Sequence, residues 1–264
     1  MALTDAALAL LCGAIVSFAL GLTGSGGSII ATPLLLYGTG LAPHIAIGTS
    51  AFATSANALL NFATHARAGT VRWASALVFA IAGMLGAMLG SDFGKHYDGR
   101  RLLFLLGVLM LGVGALMLQR ARAQVRSPAT LPPAQDTARE LLKLTGAALV
   151  TGVVAGFFGV GGGFLTVPVL LLVTGMPAVT AVGTALLAVG CFGMTTAVNY
   201  ALSGLVNWPV ALLYFAGGIV GGLLGTRLAV RLGRGRATLT RLFAGVVFVV
   251  ACYMLYRNAG SMLG

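Results

Sequence analysis

The sequence predicts an all-α, polytopic membrane protein with two inverted repeats of about five segments each. The 264-residue chain is 58% hydrophobic and only 8% charged, whereas soluble domains carry about 25% charged residues. Its apolar residues fall into long runs of the length that a membrane helix needs. The second half of the chain also repeats the first. In each repeat we expect a short, broken half-helix after a glycine-rich loop.

Composition excludes several classes of protein. A mean hydropathy of +1.00 excludes a soluble globular enzyme and a disordered chain, because a soluble surface needs far more charge. The net charge of +11 favours basic loops that orient a membrane protein. It does not favour nucleic-acid binding, since aromatic residues do not alternate with the basic ones. Cys12, Cys191 and Cys252 lie in apolar runs without a C-x-x-C motif, so we expect no disulfide framework, metal site or cofactor.

Ten apolar segments follow one another along the chain. Segments 28–38 and 164–174 are short, at about 16 Å each, and both follow a glycine cluster. Such short segments at matching places in two halves are typical of broken helices at a transport site. The other segments have close to the length of a full membrane helix. They cover residues 6–22, 44–63, 73–91, 101–118, 142–158, 179–200, 208–226 and 240–256.

A polar stretch at residues 119–141 divides the chain. It is rich in proline and basic residues and therefore predicts an exposed linker. The first membrane repeat then covers residues 1–118, and the second covers residues 142–264.

The two halves align without gaps at a constant offset of 135 residues, as from Gly21 to Gly156. Over residues 21–90 and 156–225, about a third of the aligned residues are identical, well above what a biased composition produces. The best-matched stretches are Gly24–Leu36 and Gly159–Leu171, which contain the glycine loops. The sequence therefore indicates an internal duplication.

The basic residues indicate how the halves are oriented. An odd number of crossings per half places Lys95, Arg100, Arg101 and Arg257 on one side and the other basic residues on the opposite side. An even number divides them equally. The positive-inside rule therefore favours inverted halves, a cytoplasmic linker at 119–141 and two external or periplasmic termini. This count would change if the short segments were re-entrant.

The two glycine loops are the expected functional site. Non-helical backbone within a bilayer must be buried in protein or must line a water-filled cavity. We therefore expect a wet cavity beside each loop. The half-helices that follow would direct their N-terminal amides at a small anionic substrate. Hydroxyl and amide side chains would complete the site without a buried cation. The expected substrate-binding residues are Thr23, Gly24, Ser25, Gly26, Gly27, Ser28, Thr49, Ser50, Asn57, Gly159, Gly161, Gly162, Gly163, Thr184 and Asn199.

Other polar and glycine residues have competing roles. Asn57 and Asn199 are equally well explained as hydrogen-bonding groups between helices. The glycines spaced along segments 73–91 and 208–226 favour helix packing over ligand binding. No charged residue lies well inside a predicted segment, which excludes a carboxylate proton relay. His44 and His65 are the candidates for proton coupling, although a histidine at a helix end is more often simply solvated.

The pattern G-x-G-G-[SG]-x-[IL]-x-x-P-x-L-L occurs at Gly24–Leu36 and again at Gly159–Leu171. With two halves of this size, the sequence resembles the sulfite exporter TauE/SafE family over nearly the whole chain outside the linker. The resemblance implies a permease of the bacterial cytoplasmic membrane for sulfur-containing anions such as sulfite or organosulfonates.

We therefore expect a secondary transporter that works by alternating access, and not an enzyme. Its partners would be a small anion and the lipid bilayer, while formation of a homodimer stays open. A passive anion channel is the main alternative. An intramembrane enzyme would need a catalytic cluster, for which Asp92, His96 and Asp98 are the candidates. A purely structural assembly partner is disfavoured by the duplicated broken helices.

Overall fold

The computed structural model describes residues 3–23, 27–123, 137–232 and 236–258, which form ten helices and their turns, with no strand among them. Every predicted apolar segment lies within one helix, so the all-α fold class is confirmed. The helices are α1 (Leu3–Thr23), α2 (Gly27–Thr39), α3 (Pro43–Arg67), α4 (Trp73–His96), α5 (Gly99–Ala123), α6 (Thr137–Phe158), α7 (Gly163–Thr174), α8 (Ala178–Leu202), α9 (Trp208–Leu232) and α10 (Arg236–Asn258).

Most helices extend beyond the apolar segments, because backbone hydrogen bonding continues through polar residues at a membrane surface. The predicted linker is shortened in this way, since α5 runs to Ala123 and α6 begins at Thr137. Residues 124–136 of the linker lie outside the described residues. α4 runs past the predicted segment 73–91 and includes Lys95 in its last turn, where the side chain is 15% exposed.

The surface of the bundle is apolar, and its mostly apolar interior includes a set of buried polar side chains. Along α4, Ile81, Leu85 and Phe93 are each more than 60% exposed, whereas Thr49, Ser55 and Asn57 of α3 are buried. Within the part of the chain that the structure describes, four helices are long and apolar enough to cross a membrane: Trp73–His96, Glu140–Phe158, Val179–Leu202 and Trp208–Leu228. This distribution fits a lipid-facing exterior.

Glycine brings α1 and α9 into backbone contact. A Cβ atom on Gly217, Gly221 or Gly225 of α9 would collide with the carbonyl oxygen of Leu10, Ala14 or Phe18, respectively. Residue numbers rise together along this contact, so the two helices run parallel. Small residues allow this close approach in membrane proteins.

The same contact recurs between α4 and α6. A Cβ atom on Gly86 or Gly90 would collide with the carbonyl oxygen of Leu149 or Val153, and these helices are also parallel. The predicted packing role of the glycines in both segments is therefore confirmed. Each contact joins a helix of the first half to one of the second.

Two helix groups result that do not coincide with the two halves of the sequence. One contains α1, α3 and α9, and the other contains α4, α6 and α8. They meet where α3 crosses α8. There, Gly193 lies against Ser55, and Gly190 lies against Leu59. Rising numbers on α3 meet falling numbers on α8, so these two helices run antiparallel.

Replacing Gly86 with Val should disrupt the α4–α6 contact, because its side chain has no space beside the Leu149 carbonyl. We expect the free energy of unfolding to fall by about 3 kcal/mol or more, measured by denaturation of the purified protein in detergent. Gly112→Val on α5 is the control, since a Cβ atom there meets nothing within 4 Å. Equal stability of the two variants would contradict glycine-dependent packing.

Candidate functional site

Both expected helix interruptions are present. α6 ends at Phe158 and α7 begins at Gly163. Between them, Gly159, Gly161 and Gly162 have φ angles of 65°, 66° and 69°, which glycine adopts without strain. In the first half, α1 ends at Thr23 and α2 begins at Gly27. Gly24, Ser25, Gly26 and the side chain of Thr23 lie outside the described residues.

The turn between α6 and α7 is buried and packed. A Cβ atom on Gly159 would collide with Ile47, and one on Gly162 would lie 2.6 Å from the Ala155 methyl group. Gly161 has more room, with Val189 Cγ1 at 3.6 Å from a Cβ atom built there. Neither the cavity lined by Tyr37 and Arg257 nor the one lined by Met84 and Met194 includes a residue of this turn. The expected binding of an anion by its amides therefore stays a prediction.

The first residues of the two half-helices also lie inside the bundle. Gly27 packs against the carbonyl oxygen of Val16 and against Leu20. Ser28 is fully buried, and Gly163 is buried as the first residue of α7. The N-cap residue of α7, Gly162, has no side-chain cap. Positive potential at this helix end is thus not neutralised by a capping carboxylate.

Thr49 and Thr184 connect helices. The Thr49 hydroxyl accepts a hydrogen bond of 3.0 Å from the amide of Asn207. The Thr184 hydroxyl accepts one of 3.1 Å from the amide of Arg72. Both amides directly precede a helix, α9 or α4. The two bonds occupy equivalent positions in the two halves, and each ties one half to the start of a helix in the other.

Ser50 forms a hydroxyl pair with a residue that the sequence analysis did not single out. Its Oγ atom lies 2.9 Å from Thr32 Oγ1, joining α3 to the half-helix α2. It also donates to the carbonyl oxygen of Ile47, at 3.1 Å. This pair fixes α2 against α3 about one and a half turns from the start of the half-helix.

Asn57 lies in the middle of a buried cluster. Its amide nitrogen and oxygen have no hydrogen-bond partner within the described part of the chain, and neither has the Ser17 hydroxyl. Both side chains lie against Gly218 of α9. One helical turn away, the hydroxyl of Tyr214 faces that of Thr54. We call Ser17, Thr54, Asn57 and Tyr214 the polar cluster; each is at most 2% exposed.

The polar cluster has an apolar counterpart in the other helix group. At the offset of 135 residues, Asn57 corresponds to Phe192 and Tyr214 to Phe79. These two phenylalanine rings stack with centroids 6.0 Å apart. The remaining members, Ser17 and Thr54, correspond to Gly152 and Val189. Comparing the halves position by position would have shown this asymmetry, which the search for shared motifs missed.

Asn199 bonds between helices, the alternative role considered above. Its Oδ1 atom accepts from Lys95 Nζ at 2.8 Å, and its Nδ2 atom donates to Ser91 Oγ at 2.7 Å. Lys95 Nζ also donates to Ser203 Oγ at 3.2 Å. This network brings an ammonium group between α4 and α8 with its donors satisfied.

The two histidines have different environments. His65 is buried, and its Nδ1 atom lies 2.9 Å from Thr70 Oγ1 in the turn before α4. His44 lies half-buried in the first turn of α3, and its ring centroid is 6.4 Å from that of Tyr200. Its Nδ1 atom has no hydrogen-bond partner among the described residues. A role of either histidine in proton coupling stays a prediction.

The profile of the family described as "Sulfite exporter TauE/SafE" matches residues 9–254. This chain belongs to the TauE/SafE family. It is 51% identical over 255 residues to a "Probable membrane transporter protein" of Xylella fastidiosa, covering 95% of both chains. It is 28% identical over 257 residues to "Probable membrane transporter protein YunE" of Bacillus subtilis, covering 91% of this chain and 93% of the relative. No solved structure matches it.

This TauE/SafE protein is therefore a multi-pass membrane transporter and not an enzyme. The residues considered for an enzyme have structural partners. Asp92 forms an ion pair of 3.3 Å with Lys95, and its carbonyl oxygen lies 2.8 Å from His96 Nδ1. Asp98 accepts from the amide of Arg101 at the start of α5. The described residues contain no group of metal-binding side chains.

Replacing Thr184 with Val, which has nearly the same shape, leaves the partly buried amide of Arg72 without its acceptor. We expect the free energy of unfolding to fall by about 1–3 kcal/mol, measured by denaturation in detergent. Thr145→Val is the control, because that hydroxyl bonds the Leu141 carbonyl of its own helix. Unchanged stability of Thr184→Val would contradict the connecting role.

Leucine substitutions at Asn57 and Asn61 should change stability in opposite directions. Asn57→Leu removes an amide without partners and should raise the free energy of unfolding by about 1–3 kcal/mol. Asn61 is the matched control on the same face, because its Oδ1 atom accepts from Thr226 Oγ1 at 3.2 Å. Asn61→Leu should therefore lower stability. A loss of stability in both variants, in detergent unfolding, would show that Asn57 is already satisfied.

Proposed function

We propose that this TauE/SafE protein is a secondary transporter that moves small sulfur-containing anions, such as sulfite or organosulfonates, across the bacterial cytoplasmic membrane. The observation that carries the proposal is the polar cluster, with unpartnered hydrogen-bonding groups in the middle of a membrane bundle. Burying such groups without partners is costly, most of all in lipid. A polar substrate would supply the missing partners during each transport cycle.

The chemistry of the polar cluster suits an oxyanion. The Asn57 amide offers two N–H donors, and the hydroxyls of Ser17, Thr54 and Tyr214 can each donate one. Hydrogen bonds to a charged acceptor are about twice as strong as neutral ones. The cluster contains no carboxylate that would repel an anion. The printed description of the family, "Sulfite exporter", adds the sulfur oxyanion class to this argument.

The broken helices contribute the second part of the proposed site. The start of α2 packs on Val16 and Leu20 of α1, on either side of Ser17 in the sequence. The first amides of α2, from Gly27 onward, would therefore act beside the polar cluster. Thr49, Thr184 and Ser50 would position the surrounding helices, and Gly161 would retain the freedom that a moving turn needs.

Helix directions support an inverted repeat. α3 and α8 occupy equivalent positions in the two halves and run antiparallel where they cross. A two-fold axis in the membrane plane produces this relation, and such an axis is typical of transporters with alternating access. The same directions favour five crossings per half, for which the positive-inside rule predicts a cytoplasmic linker and two external termini.

Alternating access would then involve the two helix groups and not the two sequence halves. α1 cannot move apart from α9, nor α4 from α6, without separating backbones in direct contact. The α3–α8 crossing is where the groups can rotate against each other. The α6–α7 turn also touches this boundary, since Gly159 lies against Ile47 of α3.

Transport can be tested with the purified protein in liposomes. Uptake of labelled sulfite or of a labelled sulfonate should saturate, and unlabelled anion inside the vesicles should accelerate it, as a carrier requires. Uptake without saturation or acceleration would instead assign the protein as a passive anion channel. If none of a wide panel of sulfur oxyanions shows protein-dependent flux, the proposal is overturned.

Replacing Gly161 with Val should abolish this uptake without preventing membrane insertion. Its φ of 66° strains any β-branched residue, and the added methyl groups would meet Val189. Gly146→Val on α6 is the matched control, since a Cβ atom there meets nothing within 4 Å. Initial rates in liposomes, normalised to inserted protein, decide the outcome. A Gly161→Val variant with the rate of the control would remove this turn from the mechanism.

A further inference from the structure

A second polar site lies away from the polar cluster, at the face where α3 and α5 begin and α10 ends. A cavity of about 410 Å³ opens there between four helices. α2 contributes its C-terminal turn, which includes Tyr37, and Pro43 belongs to the start of α3. Leucine side chains form much of its wall. The polar and charged groups that line the cavity are Tyr37, Arg100, Arg257 and Asn258.

Among the described residues that line the cavity, there are two positive charges and no carboxylate. Arg257 lies with its guanidinium carbon 5.6 Å from the centre of the Tyr37 ring. Asn258 donates to the Tyr37 hydroxyl at 3.2 Å. These contacts fix one wall of the cavity. The carboxylate nearest in sequence to Arg100, that of Asp98, accepts from the amide of Arg101.

The duplication reproduces this lining only in part. At the offset of 135 residues, Arg257 corresponds to Arg122, whereas Tyr37 corresponds to Leu172 and Arg100 corresponds to Gly235. The combination of a tyrosine with two arginines is therefore not repeated at the equivalent positions of the other half.

We propose that this cavity is an anion-binding vestibule, which captures a small organic oxyanion before the anion reaches the bundle centre. The two guanidinium groups would bind the anionic oxygens, and the leucine walls would accommodate a short organic part. The vestibule lies at one end of α2 and the helix interruption at the other, about 20 Å apart. Its role in transport rests on the proposed function, whereas its binding of anions does not.

Binding is tested on the full-length protein in a neutral detergent with labelled 2-hydroxyethanesulfonate. The double variant Arg100→Gln/Arg257→Gln should lower the affinity about tenfold. Added salt should weaken binding to the unmodified protein. Arg101→Gln is the matched control, because Arg101 is an exposed neighbour on the same helix that does not line the cavity. Equal affinities of the double variant and the control would overturn the proposal.

A phospholipid headgroup presents the same anionic oxygens, so a second measurement separates the two sources. The amount of phosphatidylglycerol that copurifies with each of the same variants is measured. If phosphatidylglycerol retention falls when Arg100 and Arg257 are replaced and sulfonate affinity does not change, the cavity is a lipid-binding site. That result would overturn the vestibule proposal. Sulfonate binding that depends on both arginines, with equal lipid retention, supports it.

Transport kinetics distinguish this proposal from the proposed function. In liposomes, the double variant should have a KM raised about tenfold for anion supplied from the vestibule face, with kcat retained. An unchanged KM from that face, with active transport, would overturn the vestibule alone. Arginine-dependent binding by a protein without any anion flux would support the vestibule and overturn the transporter.

Discussion

Glycine-mediated backbone contact between parallel helices is the constraint on which this structure depends. Lipid provides no hydrophobic force that draws two apolar helices together, so their association relies on close packing and weak polar contacts. On α9, Gly217, Gly221 and Gly225 remove the side chains that would keep α1 at an ordinary distance. The equivalent glycines of α4 act in the same way on α6. Because these contacts join opposite halves of the sequence, they create helix groups that neither half could form alone.

The asymmetry between these groups follows from one position in each. Gly218 of α9 makes room for Asn57 and Ser17. The Phe192 ring occupies the space beside the equivalent Gly83 of α4. Phe192 stacks on Phe79, and the two rings form an interface without polar groups. Asparagine cannot do so, because its amide needs partners that the surrounding helices do not offer. One duplicated backbone therefore carries a structural contact in one group and an unsatisfied polar site in the other.

Sequence periodicity and composition located all ten helices and both interruptions, because the alternation of apolar runs and glycine clusters is a local signal. The roles of Thr49, Thr184 and Asn199 could not be predicted in the same way. Their partners, Asn207, Arg72 and Lys95, are more than 100 residues away in sequence. Ser17 and Tyr214 were missed for the same reason, since each is unremarkable in its own helix. The exchange of helices between groups depends on three-dimensional packing that a repeat alignment does not contain.

The proposed division between charged and neutral binding groups has a physical rationale. A guanidinium pair at the mouth attracts an anion over about a Debye length and raises its local concentration. The same pair at the bundle centre would hold the anion too tightly in a medium of low dielectric constant, and its own burial would be costly. Amide and hydroxyl donors at the centre carry no net charge. They compensate for lost hydration with hydrogen bonds that form and break singly. An anion held in this way can leave toward either side once the two helix groups rotate.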